Sequence, residues 1–231
     1  MRRPLTFAVI LVALYVAQTA PVRADACVAD PVGGLVCGEG KGALRAFADT
    51  TSPSKGYAFA WRSSEGLSSG NDFPPGEVEN VLIRLADGAV VAKLGGTYWD
   101  TGQIHANRYD LIAAWSPDSR AVIEVANSRW DTDSLVYYLL EGATATTLDL
   151  RALVEPAMKA KLPPKKRESN SFRVREDLPV KLDAGGHARF TAMLYVPKGE
   201  TSFDYKVQVD FVPKHGKPAA RIVSMQRVRA D

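Results

Sequence analysis

AAWSPDSRAVIEV, residues 113–125, is the stretch that decides the fold. Its first half is apolar and ends in Trp115. Ser116-Pro117-Asp118-Ser119 follow, and then a second hydrophobic run begins. Pro117 pre-sets φ for a tight turn, and the Ser116 and Asp118 side chains can bond the backbone groups that the turn leaves free. The stretch therefore reads as two antiparallel strands joined by a Ser-Pro turn. A weaker form of the same signal is TSPSKGYAFAW, residues 51–61. After each copy come a polar loop, a strand, an acidic-Gly turn and another strand. VLIRLADGAVVAKL (81–94) thus matches LVYYLLEGATATTL (135–148) in order. The chain contains an internal repeat of four-stranded units.

WSPDSRAVIEVANSRWDTDSLVYYLLEG, residues 115–142, resembles a repeat unit of the TolB-like β-propellers. In that family a strand ends in Trp, Ser-Pro-Asp-Gly makes the turn, and a hydrophobic strand follows. Two departures stand out. Ser119 takes the place of the usual Gly, and Ser54-Lys55-Gly56 replaces Asp-Gly. The resemblance implies blade-like antiparallel sheets. It covers residues 113–142 well and a second copy at 51–95 weakly.

Short strands separated by turn signals fill most of the chain, which makes it mainly β. Strands are expected at 44–50, 57–62, 80–86, 89–95, 109–115, 121–127, 135–141 and 145–150. Asp87-Gly88 reads as a two-residue hairpin turn, and Glu141-Gly142 repeats it. Tyr57, Phe59 and Trp61 alternate onto one face. Trp61 and Trp115 lie inside strands and read as core. The pattern then breaks. Leu150, Leu153, Val154, Ala157, Met158 and Leu162 recur at helical spacing, so a helix is expected over 148–162. Asp149 is its candidate N-cap, and Pro156 is expected to kink or split it. Strands resume at 172–177, 179–183, 188–197, 203–213 and 219–228. Even if this third block is a degenerate copy of the unit, three units are too few to close a propeller ring. The expected architecture is a sandwich-like stack of antiparallel sheets, or a partial propeller, with the helix covering an edge.

The first 24 residues have the layout of a signal peptide: Arg2 and Arg3, an apolar run from Leu5 to Ala17, then small residues. Residues 25–231 then form a single β-rich domain, and the protein is expected to be periplasmic or secreted. The full chain carries a charge of +3. Removing Arg2, Arg3 and Arg23 leaves 26 basic residues against 26 acidic ones. A neutral mature chain gives no electrostatic argument for nucleic acid or an anionic membrane. No stretch after the leader is long and apolar enough to span a bilayer. Cys27 and Cys37 are the two cysteines, and an oxidising compartment makes them a disulfide that pins an N-terminal hairpin. Acylation of Cys27 as a lipoprotein is the rival reading. It fits poorly with Asp25 inside the cleavage motif, and it would leave Cys37 unpaired.

No cofactor motif and no catalytic constellation is present. There is no Gly-x-Ser-x-Gly elbow, no His-Glu-x-x-His and no Cys-rich metal pattern. His105, His187 and His215 fall in predicted turns, far apart in sequence. Asp131 and Asp133 alternate as calcium ligands do, but the rest of an EF-hand loop is missing, so turn-capping aspartates are the other reading. The basic run Lys159, Lys161, Lys165, Lys166 and Arg167 lacks interleaved aromatics for stacking bases. The most suggestive residues are Tyr98, Trp99, Asp100, His105 and Arg108 in one loop, with Arg129, Trp130, Asp131 and Asp133 in another. Aromatics and arginines in loops mark binding hot spots, and aromatics beside aspartates suit sugars. Alternatively, Trp99 and Trp130 fold back to plug the ends of the core. The expectation is a non-catalytic exported protein that recognises a protein or an envelope glycan. An envelope-directed hydrolase using Asp131, Asp133 or His105, and a purely structural module, are the alternatives.

Overall fold

In the computed structural model the described residues are 27–30, 34–68, 72–101, 104–107, 110–167, 171–196, 202–214 and 217–228. The chain is mainly β, and the described residues form three antiparallel sheets that close neither a barrel nor a propeller ring. Sheet 1 is a meander in the order β1 (Val28–Ala29), β2 (Leu35–Cys37), β3 (Leu44–Ala46), β4 (Tyr57–Ser63), β5 (Val78–Arg84) and β6 (Ala89–Lys93). Sheet 2 is the meander β7 (Asp110–Trp115), β8 (Ala121–Asn127), β9 (Thr132–Glu141) and β10 (Thr144–Asp149). Helices α1 (Arg151–Ala160) and α2 (Pro164–Arg167) follow. Sheet 3 contains β11 (Ser171–Val174), β12 (Lys181–Leu182), β13 (His187–Tyr195), β14 (Ser202–Lys214) and β15 (Lys217–Arg227). Both β11 and β12 pair with the same edge of β13, so they act as one edge strand interrupted at 175–180.

Sheet 2 is the middle layer, and alternation along its strands shows why. Every residue of β8 is buried. Val122 packs toward sheet 1 with Phe59, Trp61, Leu82 and Tyr138. Ile123 and Val125 pack the other way, with Val154 and Met158 of α1 and with Phe190 and Val207 of sheet 3. A strand buried on both faces must be apolar throughout, which is what AVIEVAN is apart from Glu124 and Asn127. The outer face of sheet 1 is also closed. Ala58, Ala60, Val81 and Ile83 lie there beneath Cys37, Leu44 and Leu35. The Cys27–Cys37 disulfide forms, and it ties the start of the β1–β2 hairpin to its end.

The Ser-Pro turns behave as the sequence suggests. Ser52 N–H donates to the Tyr57 carbonyl and Ser116 N–H to that of Ala121. In return, Tyr57 N–H donates to Ser52 Oγ, and Ala121 N–H to Ser116 Oγ. Lys55 and Ser119 close the turns at φ +57° and +59°. These occupy the position at which glycine is expected, since a side chain is strained there. The two turns touch through a hydrogen bond from Ser54 N–H to Ser119 Oγ, 2.9 Å long. Sheet 3 has a shorter version between β12 and β13. Asp183 N–H donates to His187 O, His187 N–H donates to Asp183 Oδ1, and Gly186 has φ +75°.

Several expectations need correcting. The third block forms its own sheet, so the expected stack of antiparallel sheets has three layers. The strand at 44–50 ends at Ala46 and gives way to a single 3-10 turn, Ala48–Thr50. Around Asp87-Gly88 the loop is four residues long, because Arg84 pairs with Ala89. The second hairpin loop is Gly142-Ala143, since Glu141 pairs with Thr144. Pro156 does not split the helix, which runs unbroken from Arg151 to Ala160. The carbonyl left without a donor belongs to Ala152, and both Ala152 and Pro156 are exposed, so water can satisfy it. Asp149 does cap, accepting Ala152 N–H at 2.9 Å. The expected strands 172–177 and 179–183 shrink to Ser171–Val174 and Lys181–Leu182.

Candidate functional site

The free edge of β7 is where the three sheets meet. There the 3-10 turn of sheet 1 lies beside Asp110, Leu111 and Ile112, and Glu176 comes in from sheet 3. A cleft of about 280 Å³ opens between them, lined also by Phe47, Asp49, Tyr98 and Asp100. Its chemistry is acidic: Asp49, Asp100, Asp110 and Glu176 all border it. Arg173 is the cation in contact, with Nη2 3.0 Å from both Asp110 Oδ2 and Glu176 Oε1.

Burial and crowding of like charge shift these groups. Burial raises the Asp100 carboxyl above its ordinary range, and nearby Asp49 pushes it the same way, with Arg45 and His105 opposing. Burial also raises Asp110, with Glu176 adding to the effect and Arg173 opposing it. At Glu176 burial acts upward, but the bonds from Arg173 outweigh it and leave the carboxyl lowered. Tyr98 is raised by burial and by the surrounding aspartates, so its hydroxyl stays neutral.

Tyr98 is held in the wall by an amide clamp. Its N–H donates to Asn80 Oδ1 at 2.7 Å, and its carbonyl accepts from Asn80 Nδ2 at 2.6 Å. Just upstream, Gly95 and Gly96 donate their N–H groups to Glu124 Oε1 at 2.9 and 3.1 Å. Glu124 is fully buried in β8, and its Oε2 accepts from the Tyr138 hydroxyl at 2.7 Å. The crossing from sheet 1 to sheet 2 is therefore fixed by two buried side chains, Asn80 and Glu124. Side chains cannot be added at the glycines: a Cβ on Gly95 would lie 2.7 Å from Ser134 Cβ, and one on Gly96 2.9 Å from Ala126 Cβ.

The two loops singled out in the sequence have different roles. Tyr98 and Asp100 line the cleft. His105 stacks on Tyr98 with ring centroids 6.4 Å apart and bridges to Asp100 through the backbone. Trp99 is half-buried against the sheet 1–sheet 2 core and meets exposed Phe73 edge-on at 5.4 Å. Arg108 lies outside the described residues, as does His215. In the second loop, Arg129 sits over the ring of Trp130, which is 42% exposed. Asp131 is engaged on both oxygens: Oδ1 accepts Phe172 N–H and Oδ2 pairs with Arg151. Asp133 accepts from Ser128 Oγ.

That second loop joins sheets 2 and 3. Thr132 Oγ1 accepts Val174 N–H, and Asn127 Nδ2 donates to Val174 O, so side chains satisfy the open edge of β11 as a neighbouring strand would. Asp131 and Asp133 do not line the cleft and His105 sits on another segment, so the hydrolase expectation built on these three gains no geometric support. Among the described residues no group of His, Cys, Asp and Glu is arranged to hold a metal ion. Sequence reasoning missed Asp49, Asp110, Glu176 and Glu124. Only Glu124 carried a local signal, as a charge inside an otherwise apolar strand. No protein-family model matches the chain, and no curated protein matches its sequence.

Proposed function

We propose that this chain is an exported recognition protein, and that the cleft where its three sheets meet receives a cationic group of a partner protein. The observation that carries the reading is the convergence of Asp49, Asp100, Asp110 and Glu176 on one cleft, with Arg173 bonded to just two of them. Asp49 and Asp100 make no ion pair among the described residues, and they favour a lysine or arginine side chain, with the half-buried setting of Asp100 strengthening the attraction. Tyr98 supplies a flat aromatic wall, which suits a guanidinium or ammonium stem. Export fits the disulfide and the signal-like leader. The shared turn pattern in the three sheets supports reading them as an open, three-unit relative of the TolB-like propellers.

The test is binding of arginine- and lysine-rich peptides to the mature protein and to an Asp49→Asn/Asp100→Asn variant. Wild type is expected to bind in a salt-sensitive manner, and the variant about tenfold more weakly, the size of one lost partly buried charge pair. Because the Asp100 carboxyl is raised, binding is also expected to fade at mildly acidic pH, earlier than an ordinary aspartate would cause. Equal binding by both proteins would sink the cleft as the site.

A further inference from the structure

The outward face of sheet 3 carries a second surface, separate from the cleft and opposite in charge. Register places its side chains in two rows across the strands. Lys181 stands opposite Arg189, Arg189 opposite Gln208, and Gln208 opposite Ser224. In the next row, Thr191 stands opposite Lys206 and Lys206 opposite Gln226. All of these line one groove of about 430 Å³, walled on one side by Leu178 and Pro179. Lys181, Arg189 and Lys206 are exposed, and no ion pair engages them among the described residues. No acidic residue lines the groove. In a chain whose mature charge balances, three free cations at one place are a local feature of this sheet.

We propose that this groove binds an anionic polysaccharide, laid across β12–β15. The cations supply charge complementarity for carboxylates along such a chain. Between them, Gln208, Gln226, Ser224 and Thr191 offer both donors and acceptors, which hydroxyl-rich sugars use and a simple anion does not. Neighbouring strands are about 4.8 Å apart, close to the length of one sugar in an extended chain, so successive residues of the polymer meet successive strands. Phe190 also borders the groove, but it is buried in the core and offers no exposed ring on which nucleic-acid bases could stack. Leu178 and Pro179 lie at its wall, too few to insert into a lipid surface.

The experiment is affinity electrophoresis of the mature protein through gels containing polygalacturonate, with its fully methyl-esterified form as the uncharged match. Retardation is expected with the first and not the second, and is expected to weaken with salt. Lys181→Gln/Arg189→Gln/Lys206→Gln should lose at least tenfold in affinity. Lys41→Gln/Lys55→Gln/Arg120→Gln removes the same charge elsewhere and should stay within twofold. Gln208→Ala/Gln226→Ala should weaken polygalacturonate binding several-fold while leaving any retention by inorganic polyphosphate unchanged. The substituted side chains are exposed apart from half-buried Gln208, and thermal melts check that each variant folds. Equal losses in the two charge variants would overturn the proposal. So would retention by polyphosphate or by phosphatidylglycerol vesicles that matches or exceeds retention by polygalacturonate.

Discussion

Glu124 is a carboxylate placed where an apolar residue would otherwise sit, in the middle strand of the middle sheet. Its oxygens collect the amides of Gly95 and Gly96 and the hydroxyl of Tyr138. Replacing it with leucine would strand the buried Gly96 amide, at about 1–3 kcal/mol, while the exposed Gly95 amide can turn to water and the Tyr138 hydroxyl to the Lys93 carbonyl. Burial raises its pKa above the ordinary 4.5, although the bonds it accepts act against this. A raised folded-state pKa contributes stability that is complete below the unfolded value and is lost as pH rises through the folded one. Wild type minus Glu124→Gln therefore isolates this group from carboxylates that shift the other way, such as Glu79 and Glu155. The expected result is that the melting temperature of wild type relative to Glu124→Gln falls as pH is raised from 4.5 toward 8. A difference that stays flat over that range would show that the carboxyl is not perturbed. At the same scale the sequence was partly legible. Tyr98 and Asp100 were singled out and do line the cleft, but Asp49, Asp110 and Glu176 sit in unremarkable strand and turn contexts. Only the meeting of three sheets makes them neighbours, and no local pattern encodes that meeting.

Elements were easier to read than their ends. Alternation located β4 to β10 because each turns at least a half-buried face to the core, and the stripe Leu150, Val154, Met158 and Leu162 located α1 because all four are buried against sheets 2 and 3. Ends depend on hydrogen bonds that hydrophobicity does not report. The stretch 44–50 looked like one strand, yet Phe47 to Thr50 turns away so that Thr50 Oγ1 can accept Phe59 N–H and Thr50 O can accept from Trp115 Nε1. The segment 175–180 leaves the edge of β13 after Arg175, which pairs with Asp177 and Asp204. Pro156 gives the element-scale prediction. It removes one helical hydrogen bond in the interior of α1, and its ring crowds the Ala152 carbonyl. Its side chain is exposed, so alanine there loses no packing. Pro156→Ala is expected to raise stability by about 1–3 kcal/mol in chemical denaturation. A loss of stability would mean that the fixed φ of the proline, and not the helix ladder, is what this turn requires.

At the scale of the whole molecule, the two end sheets of the stack are closed differently. Sheet 3 turns a polar face outward, and its apolar face is buried against α1 and sheet 2. Sheet 1 has apolar residues on both faces, and its outer cluster is shut by the hairpin that carries Cys27 and Cys37. That hairpin is short: β1 contributes two residues and β2 three. So little strand is marginal without support. The disulfide closes a loop of small size, with a sequence separation of 10, and is worth about 2–3 kcal/mol on the chain-entropy model. For a domain of this size, that corresponds to roughly 5–10 °C in melting temperature. Cys27→Ser/Cys37→Ser should show that loss, and the damage should be local before it is global. Gly88 packs against Cys37, since a Cβ there would lie 2.9 Å from Cys37 Cβ, so the β5–β6 turn should loosen together with the hairpin. Hydrogen exchange is then expected to quicken first in β1, β2 and the 85–88 turn, while the amides of β8 and β13 keep their protection until global unfolding. Uniform quickening across all three sheets would show instead that the stack opens as a single cooperative unit, with the disulfide serving every layer alike.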